Sequence, residues 1–170
     1  MSQNDMRGGG HAAPAAPAAP GRSVTRGGRG LRANSFSAVV MLLAQYGLGI
    51  WVNVYAQIPA SDHGKGAFAA FGAAVADGPV ALALHAVLGT LLLATAIAFI
   101  VRAALARKIA TTVIGVIAFL AIIGAWLSGA RFVGDAADGA SFAMAIETGV
   151  ALLCYVIILF VPGLTAGRDR

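Results

Sequence analysis

The chain has 170 residues, 59% of them hydrophobic and 11% charged, with a formal net charge of +5 and one cysteine. A water-soluble domain carries about 25% charged residues, so this composition excludes a globule with a water-facing shell and predicts a single all-α domain, a four-transmembrane-helix bundle. Cys154 lies inside an apolar run, which excludes an intrachain disulfide and a thiolate metal cluster.

Residues 1–34 are a different material from the rest. "HAAPAAPAAPG" is a triplet repeat and "GRSVTRGGRG" is glycine and arginine with almost nothing to bury. Such composition cannot offset the entropy of ordering, and it predicts a disordered basic tail in which the Ala-Ala-Pro repeats lean toward polyproline II. The first span is expected at 36–58, "FSAVVMLLAQYGLGIWVNVYAQI", long enough to cross about 30 Å of hydrocarbon as a helix. Its long leader and long apolar run read as an uncleaved signal anchor rather than a signal peptide.

The connection that follows contains "GAFAAFGAAVA", with Phe68, Phe71 and Val75 at i, i+3, i+7 spacing. That spacing predicts a short helix lying in the membrane interface. Further spans are expected at 79–101, 109–127 and 141–161, the last stopped by Pro162 and Gly163. The transmembrane domain is thus 35–163, followed by a short C-terminus, 164–170.

Orientation follows from the cations, because Lys and Arg flanks stay on the cytoplasmic side. Arg7, Arg22, Arg26, Arg29, Arg32, Arg102, Arg107, Lys108, Arg168 and Arg170 fall on one side of a four-span path; Lys65 and Arg131 fall on the other. Both termini are therefore expected in the cytoplasm. The net charge is explained by topology and calls for no specific nucleic acid. In the tail, Arg22, Arg26, Arg29 and Arg32 either fix topology or also touch anionic lipid headgroups.

Polar side chains in hydrocarbon are costly and turn inward. The candidates are Gln45 and Asn53 in the first span, His85 in the second and Glu147 in the fourth. His85 and Glu147 lie at similar depth in the outer half, on faces lined by small residues, and are expected to pair. Asn53 and Gln45 are further partners, and Arg131 is an alternative one for Glu147 at the outer rim. Such a pair either clasps two helices together or forms part of a functional site. Small residues at i, i+4 mark faces of close approach: Ala121, Ala125 and Gly129; Ala81, His85 and Gly89; Ala145 and Gly149.

The motif "LHAVLG", a histidine followed four residues later by glycine, resembles the haem-ligand helices of four-helix membrane cytochromes of the cytochrome b561 and haem A synthase types. That resemblance implies haem b held by His85 and a second histidine from another helix, in whose place this chain could offer the Met144 thioether. Where those families supply a second histidine, this chain has Glu147 in "AIETG". In its total pattern the chain resembles the short four-span integral membrane proteins of high-GC Gram-positive bacteria, which implies a bacterial plasma membrane.

The sequence holds no nucleophile beside a base, no metal-ligand cluster and no phosphate loop. The reading it supports is a non-catalytic accessory or interaction subunit without a cofactor, whose partners are lipid, other membrane proteins or a second copy of itself. Two alternatives use the buried polar groups. One is a haem-binding electron-transfer protein using His85, and the other a small proton-linked transporter or channel using Glu147 and His85.

Overall fold

A computed structural model of the chain describes residues 26–55, 64–135 and 138–165. Of the segment 1–34 expected to be disordered, residues 1–25 lie outside the described residues, as do the last five residues and His63. The described chain is helical in six pieces: α1 (Arg26–Tyr55), α2 (Ala67–Ala76), α3 (Val80–Leu105), α4 (Ile109–Asp135), α5 (Asp138–Phe160) and α6 (Pro162–Thr165). Four of these are long and apolar enough to cross a membrane, with stretches of 28, 26, 26 and 22 residues. At 1.5 Å per residue they reach about 33 to 42 Å, so the chain is a multi-pass membrane protein.

The four long helices form a ring in which α1 packs on α3, α3 on α4, α4 on α5 and α5 back on α1. Helices α1 and α4, and α3 and α5, stand across the ring from one another. The exterior is as apolar as the interior, with Phe36, Leu43, Leu91, Leu120 and Leu153 all exposed. Burial is therefore not sorted by hydrophobicity but by size and polarity, as expected where lipid is the solvent. Ala38, Ala96, Ala103, Ala118 and Ala151 are fully buried and let the backbones approach. Threonine hydroxyls that face lipid donate back to the carbonyl four residues earlier, as Thr90 does to Ala86 and Thr95 to Leu91, which leaves no bare donor in hydrocarbon.

All four long helices extend beyond their expected bounds, α3 to Leu105 and α5 from Asp138, and for the two largest extensions packing supplies the reason. Helix α1 starts eight residues before Asn34, inside the segment expected to be disordered, because Leu31 is 2% exposed and joins the core. Helix α4 continues past Leu127 to Asp135, where Val133 is buried beneath α2 with Val52 and Leu82. At the other end of the bundle α5 stops at Phe160, before Pro162 as expected. The chain then makes the short turn α6, whose Leu164 packs on the core and whose carbonyl accepts a 2.6 Å hydrogen bond from Thr111.

The expected short helix is α2. It buries Ala70, Ala73 and Ala74 against α3 and α4, while Phe68 stays exposed. Phe71, expected to join Phe68 on an outward face, is only half-exposed, and both rings lie against Trp126, with centroids at 5.5 and 5.8 Å. The chain leading into α2 is pinned to the end of α4 by a 2.7 Å bond from the Gly64 amide to the Gly134 carbonyl.

The α3–α4 connection is a Schellman stop. The Lys108 amide donates to Ala103, and Arg107 donates to Ala104. Its left-handed position, φ 53°, is filled by Arg107 where glycine is usual, at a cost of about 1 kcal/mol. Arg107→Gly is expected to raise stability by up to about 1 kcal/mol in a denaturation series, with Arg107→Ala giving no such gain. The arginine is thus a charge retained at that turn against the local backbone preference.

Candidate functional site

Toward the α2 end of the bundle, three side-chain hydrogen bonds each join one pair of neighbouring long helices. Gln45 on α1 donates from Nε2 to the backbone carbonyl of His85 on α3 at 3.0 Å. Ser141 on α5 donates to Oδ1 of Asn53 on α1 at 3.0 Å. Ser128 on α4 donates to Oε2 of Glu147 on α5, also at 3.0 Å. The α1–α3, α1–α5 and α4–α5 seams of the ring therefore each carry a side-chain hydrogen bond.

Each of the deeper polar side chains rests on a glycine of the facing helix. A Cβ at Gly49 would stand 3.1 Å from Cε1 of His85, and one at Gly89 would stand 3.1 Å from Nε2 of Gln45. At Gly124 it would stand 2.5 Å from Oε1 of Glu147. These glycines are needed for room rather than for backbone freedom. Of the small-residue lines read from sequence, Gly89 and Gly129 do receive a neighbour, Met144 Sδ lying 3.4 Å from where a Cβ of Gly129 would be, while Gly149 faces open space.

The expected His85–Glu147 pair does not form among the described residues. His85 is on α3 and Glu147 on α5, which stand across the ring, and Glu147 turns instead to Ser128 and Gly124 on α4. Of the proposed partners, Gln45 does meet His85, through its backbone, and Asn53 meets Ser141. Arg131 is exposed at the α2 end of α4. Sequence reading missed Ser128 and Ser141; Ser128 follows Gly124 by one helical turn, and that spacing was the available signal.

Between the helices lies a cavity of about 200 Å³. Its floor is Leu42, Leu92 and Ile122, and its roof toward α2 is Ala70, Phe71 and Ala74. Gln45, Tyr46, Asn53, His85, Trp126, Ser141 and Thr148 are its polar-bearing residues, and among the described residues none that lines it is charged. Two of these residues hold a buried polar atom without a partner, Oε1 of Gln45 and Nδ1 of His85. An orphaned buried polar atom costs about 1–3 kcal/mol, so two in one cavity are a notable expense. Gln45→Leu removes one of them together with the bond to His85. It is therefore expected to change stability by less than about 1.7 kcal/mol, as read from unfolding in mixed micelles, whereas a larger loss would mean that Gln45 is a principal strut.

Haem does not fit this cavity. A pocket of about 150 Å³ holds one benzene, and a macrocycle of four linked rings needs several times that. Met144 also lines the cavity, but its sulfur turns to Gly129 on α4, and the edge of the His85 ring bearing Cε1 and Nδ1 lies against Gly49. Among the described residues no group of three or more His, Cys, Asp or Glu side chains is placed to hold a metal ion.

The fold defines a class, a four-helix integral membrane protein, here with an internal cavity near one end. No protein-family model matches the chain, and neither a curated protein nor a solved structure matches it.

Proposed function

We propose that the chain is a non-catalytic accessory protein of a bacterial plasma membrane that holds a small uncharged molecule in the cavity between its helices. The observation that carries this reading is the uncharged, mostly apolar cavity of about 200 Å³ with unpartnered polar atoms on Gln45 and His85. Concave apolar space with a few convergent polar groups is the usual form of a small-molecule site. Protein extracted from native membrane is expected to yield one co-purifying uncharged compound. Ala125→Phe and Ala145→Phe, which fill the cavity from α4 and α5, should each remove it. An extract unchanged by both substitutions would refute the reading.

The cation asymmetry supports cytoplasmic termini and an α2 end on the outside. At the proposed cytoplasmic end Arg29, Arg32, Arg102 and Arg107 are all exposed, an arrangement suited to anionic lipid headgroups. Single cysteines at Lys65 and Arg107, in a Cys154→Ser chain, test the orientation. In intact cells a membrane-impermeant maleimide is expected to label the first and spare the second.

A further inference from the structure

The walls of the cavity say more about what would occupy it. Its volume exceeds by about a third the 150 Å³ that accommodates one benzene, which is room for one substituted six-membered ring. Phe71 and Trp126 present aromatic surface to it. At the Gln45 end one N–H of Nε2 is given to the His85 carbonyl, and the amide atom with no partner is Oε1, an acceptor. With no charged lining, an ionised headgroup would enter at a large desolvation cost.

The way in is also marked. Tyr46, Ile50 and Asn53 line the cavity and are exposed, on the flank of α1 that carries the hydrogen bond to α5, and exposed Ala145 faces them from α5. The mouth therefore lies between α1 and α5, on the side of the bundle that meets hydrocarbon rather than water.

We infer that the cavity receives, from the bilayer between α1 and α5, the head of a lipid-soluble phenol or hydroquinone, a single uncharged ring whose hydroxyl donates to Gln45. An apolar tail on that ring would stay in the lipid outside the mouth. This inference rests on the binding reading above and deepens it by naming the ligand class. It concerns binding alone and requires no electron transfer.

The test uses the full chain in detergent with Trp51→Phe, which leaves Trp126 as the only tryptophan. The probes are 2-prenyl-1,4-hydroquinone and its dimethyl ether, equal in ring and tail but without a donor in the second. Saturable quenching of Trp126 by the hydroquinone, at least tenfold weaker with the ether and absent in Ala125→Phe, is the expected result. Gln45→Leu should weaken the hydroquinone about tenfold and leave the ether unchanged. Equal binding of the two probes, or an unaltered hydroquinone affinity in Gln45→Leu, would overturn recognition of the donor while leaving the cavity a binding site. No saturable quenching by either probe would overturn the ligand class. The co-purification experiment then decides separately whether the cavity binds anything else.

Discussion

Gly124→Leu is expected to open the α4–α5 seam and cost about 3 kcal/mol or more, read as unfolding in mixed micelles. A Cβ at this position would stand 2.5 Å from Oε1 and 2.8 Å from Cδ of Glu147, and a leucine side chain would have to displace that carboxyl group. Overpacking of a tight interface costs about 1–3 kcal/mol. Displacing the carboxyl group also breaks its bond from Ser128 and leaves a polar group in hydrocarbon without help. The milder Gly124→Ala should be rescued in part by Glu147→Ala, because the clash is with the far end of that side chain. A double-mutant cycle showing strict additivity would mean that Gly124 and Glu147 do not share this contact.

The second large effect is expected at the opposite end of the bundle. Phe99 and Tyr155 are both 0% exposed, with ring centroids 5.5 Å apart in an edge-to-face arrangement. Gly115 of α4 makes room for the Phe99 ring, since a Cβ there would stand 2.9 Å from it. Phe99→Ala leaves a void lined by α4 and α5, and the loss is expected to be about 3–5 kcal/mol. Gly115→Ala introduced beside it should recover part of that loss, whereas in the native chain the same change should destabilise. Phe99→Ala with native thermal stability would show that lipid fills the gap or that α3 and α5 close over it.

The four spans and their order were legible in the sequence because a helix in hydrocarbon must be long, apolar and internally bonded, and those demands are met one segment at a time. The short helix after the first span was legible for a similar reason, since Phe68 and Phe71 repeat at helical spacing. What covers its buried face was not, because Ala70, Ala73 and Ala74 carry no mark that distinguishes packing from exposure in a chain so rich in alanine. Gln45, His85 and Glu147 were legible as inward-facing and unreadable as partners, while Asn53, expected to turn inward with them, is exposed. Depth along each helix put His85 and Glu147 at one level, yet a ring of four helices offers each residue two neighbours and one opposite. Only the order around the ring shows that α3 and α5 are opposite. Serines 128 and 141 were passed over because a hydroxyl can satisfy itself on its own helix, which hides those that cross to another. The cavity belongs to no single segment and had no sequence signal at all.

The bond from Ser141 to Asn53 spans the mouth between α1 and α5. A hydrogen bond between membrane helices is worth about 0.6 kcal/mol on average, close to thermal energy at room temperature. A fastener of that strength is undone by ordinary fluctuation, so it can hold the two helices in register without sealing the space behind it. If the cavity holds a ligand as proposed, Asn53 and Ser141 would set the rate at which it exchanges with the bilayer more than its affinity.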